Sequence, residues 1–320
     1  MADKHERVFA LLAGQPNDGT WAETIRGACE AIRLAKEKLK FGKRVDRRGP
    51  LLLTIAYGVS YGGGQRVSYS ASSEACSRCL IPYRSLGTFA CRTGTCTCSA
   101  SCAIIRIFSA CQTSPAVSVC SNHHLRHTID VSGYLPGMFA IYFPELYKEY
   151  AETLGELYDA DPALREIFAG GVWPALSLNF PPNAYTKLHT DAGNKANGMC
   201  PIFSLGDFDP TEGGHLVLPD VKLVVEFPPG SLIFIPSGTL RHGNIPVRPW
   251  ESRTSWTQYA AGGLFRWMRY GRCSWETLKK TNKSLADAEL ARRAQAWEEA
   301  VASFPSVQSL FDRAAHVTTA

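Results

Sequence analysis

Between residues 173 and 261 the sequence is cut into short runs of β-branched and other apolar residues, separated by Gly, Pro and Asn turns. The runs at 175–180, 214–218, 223–227, 232–235 and 255–260 are each too short for a stable helix and long enough for a strand. Several short strands at close spacing bury their apolar sides only by closing on one another, as in a sandwich or jelly roll. Helical spacing lies on either side. Ile25, Ala28, Ile32, Ala35 and Leu39 recur at three and four residues, and Leu146, Tyr150, Leu154 and Leu157 share a face over 144–157. Residues 284–304 form a closing helix with Ser284 as its N-cap and Asp287 three residues on. The expectation is an α+β chain whose jelly-roll core is flanked by N- and C-terminal helices. Its divisions are 1–66 (helices and a first core strand, 51–59), 67–121, 122–270 (the core with a supporting helix) and 271–320 (helical).

With 320 residues, 45% of them hydrophobic, and a net charge of only +5, the chain can bury a core and is neither disordered nor fibrous. The charged start Met1-Ala-Asp-Lys-His-Glu-Arg lacks the apolar centre of a secretory peptide, and no run approaches the roughly 20 apolar residues of a membrane span. An intracellular protein with no membrane partner is expected, and its oligomeric state is not legible. Eight of the 11 cysteines fall between Cys76 and Cys120, in a Ser- and Thr-rich stretch without sustained period. One Cys76-x-x-Cys79 pair followed by irregular spacings falls short of two matched knuckles, so a structural zinc is the weaker reading beside a poorly ordered insert. Eight basic residues between Arg33 and Arg48 face only Glu37 and Asp46 within that stretch, a patch able to meet phosphates or simply a solvated surface.

The spacing with most chemical content is His189-Thr190-Asp191, with His242 51 residues after Asp191 and Arg253-Thr254-Ser255 beginning 11 residues later. In a strand, residues two apart share a face, so His189 and Asp191 can hold one metal together, and His242 from a neighbouring strand completes a facial triad. Two imidazoles and a carboxylate leave three positions open, the arrangement an iron(II) oxygenase needs for cosubstrate and dioxygen. Arg253 suits the distal carboxylate of a 2-oxoacid such as 2-oxoglutarate, and Ser255 on the same strand face adds a hydroxyl. The buried run 232–235 leads through Ser237-Gly238 to His242 and would deliver it at the mouth of the core.

Leu205-Gly206-Asp207-Phe208-Asp209-Pro210, Gly213-Gly214-His215-Leu216-Val217-Leu218 and Glu226-Phe227-Pro228-Pro229-Gly230-Ser231, together with residues 53–65 and 133–150, resemble the fungal branch of the TET/JBP-type iron and 2-oxoglutarate dioxygenases. The resemblance covers about half the chain. It implies a double-stranded β-helix in which His189, Asp191 and His242 bind iron and act in catalysis, while Arg253 and Ser255 hold 2-oxoglutarate. It also implies a nuclear enzyme that oxidises the methyl group of a modified base in duplex DNA, 5-methylcytosine above all, by hydrogen abstraction. Such a methyl is reached only after the base is flipped out of the stack. Lys187, Arg241, Arg248 and the 33–48 patch are candidates for phosphate contact, and Asn194 for the base edge, although Asp191-Ala-Gly-Asn194 is also good turn sequence. His215 reads as an ordinary strand residue, and Trp250 and Trp256 as core.

Relatives of that branch pass from the Gly62-Gly63-Gly64-Gln65 loop into a short stretch and a helix. Here eight cysteines follow, and Val67-Ser68 could be encoded by a splice donor, so part of 67–121 is expected to be retained intron; a spliced transcript with every codon of 67–121 would contradict this. Triad and Arg-x-Ser describe the cofactor site and not the target. A hydroxylase of a protein or small molecule, or a catalytically impaired, transposon-associated relative, therefore stands beside the DNA-base reading.

Overall fold

The computed structural model describes residues 1–37, 48–49, 52–61, 68–69, 134–161, 164, 168 and 170–318. Its centre is a seven-stranded sheet facing a three-stranded one. The elements are β1 (Leu11–Gly14), α1 (Trp21–Glu37), β2 (Thr54–Ser60), β3 (Ser68–Tyr69), α2 (Pro144–Ala160), β4 (Ala175–Asn179), β5 (Cys200–Asp207), β6 (Leu216–Leu218), β7 (Leu223–Val225), β8 (Leu232–Ile235), β9 (Gly243–Asn244), β10 (Ser252–Tyr259), α3 (Gly262–Arg269), α4 (Trp275–Thr281), α5 (Lys283–Ala302) and α6 (Val307–Thr318). The large sheet runs β1-β8-β5-β10-β4-β2-β3 and the small one β7-β6-β9, with every named strand pair antiparallel.

The two-residue alternation of the large sheet divides its side chains between two cores. Phe203 and Leu205 of β5, Leu232 and Phe234 of β8 and Trp256 of β10 point to the helical side, where they join Ile25 and Ile32 of α1, Leu146 and Tyr150 of α2, and Phe139, Phe143 and Trp173. Cys200, Ile202, Ile233 and Ile235 point the other way and pack with Leu216 and Leu218 of the small sheet. The sandwich interior therefore lies between the sheets, and the helices cover only the outer face. α1 buries Ile25, Ala28, Ile32 and Ala35, as their spacing predicts.

Most of the expected elements are present, with four corrections. β5, one of the two longest strands, was not anticipated, because Pro201 lacks an amide for the ladder and Gly206 weakens strand propensity. Gly206 sits at φ +130, and a Cβ there would lie 2.1 Å from the Ser252 carbonyl oxygen, so only glycine lets β5 pair with β10 at that point. β1 was likewise missed. The N-cap of α5 is Asn282, whose side chain accepts from Leu285 N–H, and not Ser284. Trp256 is buried as expected, but Trp250 is 77% exposed, with the Arg248 guanidinium 5.6 Å from its ring centre. Beyond the pairing of β3 with β2, the Cys-rich stretch and the splice-site expectation lie outside the described residues.

Candidate metal and cosubstrate site

β10 brings the anion-binding residues into the sandwich. Arg253, Ser255 and Thr257 alternate with Thr254 and Trp256, and facing residues in the ladder share a side. Ser255 lies opposite Asn179 of β4 and Ser204 of β5, and Thr257 opposite Ile202, so this side of β10 looks between the sheets.

His189 and Asp191 are not in a strand. Residues 185–188 run as irregular chain, and His189 forms a single antiparallel bridge with His242 in which each backbone N–H donates to the other residue's carbonyl at 2.9 Å. Hydrogen bonds hold the loop at several points. Asn244 accepts from both the backbone N–H and the hydroxyl of Thr186 (2.9 and 2.8 Å), and Asp191 N–H donates to the Ser237 carbonyl at 2.8 Å. Gly243 allows the approach, since a Cβ there would lie 2.9 Å from the Thr186 carbonyl oxygen and 3.0 Å from Leu188 N. The co-facial placement expected of a strand is thus achieved by a loop stitched to β9 and to the turn before His242.

The ligand atoms of His189, Asp191 and His242 lie within 4.8 Å of one another. Nε2 of His189 is 3.7 Å and Nε2 of His242 3.9 Å from the Asp191 carboxylate oxygens. Nδ1 of His189 is 2.7 Å from the Lys187 carbonyl oxygen and Nδ1 of His242 is 2.9 Å from that of Leu240. A carbonyl only accepts, so each Nδ1 carries a proton and each Nε2 faces the Asp191 carboxylate. Burial pushes the His242 imidazole below its ordinary pKa, opposed by Asp191 and reinforced by His189. Two imidazoles oriented through their Nδ1 atoms and one carboxylate are a donor set that suits divalent iron.

Arg253 lines the same cavity as the triad, and so does Ser255. Arg253 is only 2% exposed, and among the described residues it makes no ion pair. Its Nη1 donates to the Ala184 carbonyl oxygen at 2.8 Å, while its Nε is buried without a hydrogen-bond partner. Burial alone pulls its pKa down to about 10. A buried cation without a counter-ion is costly unless a ligand supplies one, and a carboxylate matches the guanidinium fork. The Ser255 hydroxyl accepts from the Asn179 side-chain amide at 2.8 Å, which leaves its own hydrogen to donate to an incoming anion. The residues present therefore fit 2-oxoglutarate held between the triad and Arg253.

Arg48, the last residue of the 33–48 patch expected to meet phosphates, lines this cavity, as do Cys200, Asn179, Asn244 and Thr257, which were not singled out from the sequence. The inward positions of β5 and β10 would have pointed to Cys200 and Thr257 had β5 been recognised.

The outer candidates are less concentrated. Asn194 donates its side-chain amide to Ser237 Oγ at 2.9 Å and its backbone N–H to the Asp191 carbonyl, the turn role weighed above. Arg241 pairs with Asp220 at 3.1 Å. Arg248 pairs with Glu251 at 2.7 Å and lies 3.6 Å from Asp209. Arg33 pairs with Glu30 as well as Glu37, so the sequence count across 33–48 overstates its free charge; residues 38–47 lie outside the described residues. Lys187 is exposed, next but one to His189. His215 precedes β6 and keeps a buried Nδ1 without a partner. No helix among the described residues is long and apolar enough to cross a membrane.

No family model and no curated protein matches the sequence. Similar solved structures include NgTET1 in complex with 5mC DNA (21% identity, TM-score 0.34, over 42% of this chain and 48% of that one). Others are a 2OG-Fe(II) oxygenase family oxidoreductase from Burkholderia pseudomallei (28%, 0.23, over 27% and 41%) and a Pseudomonas putida prolyl-4-hydroxylase (16%, 0.27, over 50% and 83%). The chain spans about half the length of the NgTET1 chain it resembles.

Proposed function

We propose that this chain is an iron(II)- and 2-oxoglutarate-dependent dioxygenase of the TET/JBP type, acting in the nucleus on the methyl group of a modified base in DNA, with 5-methylcytosine the preferred substrate. The observation that carries the cofactor chemistry is the shared cavity: three ligand atoms within 4.8 Å of one another, beside a buried arginine with no counter-ion among the described residues. Iron(II) with 2-oxoglutarate and dioxygen supplies the oxidising power to break an unactivated C–H bond, 2-oxoglutarate leaving as succinate and carbon dioxide. His189, Asp191 and His242 would hold the metal. Arg253 and Ser255 take the distal carboxylate. Ile202 and Leu216 give the cavity apolar wall, which limits water around the reacting groups. The target base rests on the sequence motifs shared with the TET/JBP type. A methyl within a duplex needs base flipping, at about a few kcal/mol of lost stacking.

A second reading, a hydroxylase of a protein or small molecule, is favoured by the state of the outer candidates. Arg241 and Arg248 already have carboxylate partners, and the Asn194 amide is taken by Ser237. Succinate release from 2-oxoglutarate separates the two. Stimulation by a 5-methylcytosine duplex, with none by the unmethylated duplex, supports the base dioxygenase; turnover indifferent to DNA supports the second reading.

A further inference from the structure

A second charged cavity, of about 610 Å³, lies between α3, α5 and the loop at 195–197, and it shares no lining residue with the triad cavity. Its floor is Lys195, whose ammonium is 3.0 Å from Glu149 of α2 and 5.3 Å from the Phe265 ring centre. On the wall, Glu289 is met by Arg269 at 3.5 Å and by Arg292 at 3.8 Å, and Arg292 also reaches Glu299 at 2.5 Å. Arg266 and Arg293 complete the lining, so five cations face three carboxylates, an excess of two positive charges.

Lys195, Arg269 and Arg292 are matched by Glu149, Glu289 and Glu299, so the excess charge resides on Arg266 and Arg293. Arg266 is exposed and makes no ion pair among the described residues. Arg293 meets neutral partners, donating to the Tyr270 hydroxyl at 3.0 Å and stacking 4.1 Å from the Trp275 ring centre. Arg292 Nε is buried without a hydrogen bond. Burial lowers the Lys195 pKa, Glu149 opposes this, and Arg269 and Arg292 add smaller lowering contributions.

We propose that this cavity binds a phosphate group. A phosphate monoester carries about −1.5 to −2 charges near neutral pH and three strong acceptor oxygens, which matches an excess of two cations and several guanidinium forks. A carboxylate offers half the charge and only two oxygens. The source is either free inorganic phosphate or a phosphate monoester at the end of a nucleic acid strand; a backbone diester, with one charge and two free oxygens, matches no better than a carboxylate. The site does not depend on the iron reading.

The test is calorimetric titration of the full chain with inorganic phosphate in a phosphate-free buffer, with acetate as control. Saturable binding of phosphate and none of acetate is expected. The double variant Arg266→Ser/Arg293→Ser, altering two exposed side chains, should weaken phosphate at least tenfold, and Arg266→Glu alone should weaken it while Arg266→Lys retains part of the affinity. Absence of saturable phosphate binding, or affinity within twofold of wild type in the double variant and in Arg266→Glu, overturns the proposal. Competition by a short 5′-phosphorylated duplex and not by its dephosphorylated counterpart assigns the site to a nucleic-acid terminal phosphate, no competition by either assigns it to a free phosphate, and equal competition by both contradicts the monoester match.

Discussion

Replacing Arg253 by Met should move stability and cosubstrate affinity in different ways. Arg253 is 2% exposed, and burial alone lowers its pKa from the ordinary guanidinium range to about 10. At about 1.4 kcal/mol per unit, holding this charge costs the folded apo protein about 3 kcal/mol. Removing it relieves that cost but leaves the Ala184 carbonyl without its 2.8 Å donor, at about 1–3 kcal/mol. The apo Tm should therefore stay within a few degrees of wild type. Losing one partner of a buried charge pair costs about 2–5 kcal/mol in binding, roughly 30-fold to several thousand-fold in Kd. The sign in pH follows. A base whose folded pKa is depressed binds more protons when unfolded, so wild-type stability rises only as pH climbs above about 10, and Arg253 contributes no pH dependence near neutrality. The assay is thermal melting with Mn(II) as a redox-inert stand-in for iron, with and without 2-oxoglutarate. At 100 times the wild-type Kd the ligand should stabilise wild type by about 2.7 kcal/mol and Arg253→Met by about 0.9 kcal/mol or less. Equal 2-oxoglutarate shifts in both proteins, or an apo variant that has lost its cooperative melt, would refute this view of Arg253.

Three further outcomes are expected. Asp191→Ala and His189→Ala should each lower Mn(II) affinity at least 100-fold with an unchanged far-UV spectrum; wild-type affinity in either would remove that residue from the ligand set. Gly206→Ala forces a Cβ to 2.1 Å from a backbone oxygen at φ +130 and should destabilise by about 2–4 kcal/mol in urea denaturation; a neutral result would contradict the β5–β10 register. Asn282→Ala should cost about 1 kcal/mol and Ser284→Ala little, the reverse order placing the cap where the sequence pattern first suggested it.

Much of the site was legible because it rests on alternation. In β10 the pattern Arg253-Thr254-Ser255-Trp256 sends the polar residues between the sheets and the indole into the helical core, and period two is visible in sequence. The spacing of α1 and α2 was legible for the same reason. His189 and Asp191 were found by residue type, yet the local conformation differs, because bonds from Asn244, His242 and Ser237 shape the loop and these partners lie 46 to 58 residues away. β5 was hidden by Pro201 and Gly206, whose local preferences oppose a strand that long-range pairing with β8 and β10 stabilises. Charge counting within 33–48 could not include Glu30, which lies one helical turn before Arg33. Trp250, between Pro249 and Glu251, stays outside, with the Arg248 guanidinium beside its ring.

The central claim is most directly tested by nucleoside mass spectrometry of a 5-methylcytosine duplex incubated with the protein, iron(II), ascorbate and 2-oxoglutarate, beside an Asp191→Ala control. The expected result is 5-hydroxymethylcytosine with the wild-type chain and none with the variant. Unchanged 5-methylcytosine from a folded, iron-loaded wild-type protein that still turns 2-oxoglutarate over to succinate would contradict the assignment of a DNA base as substrate.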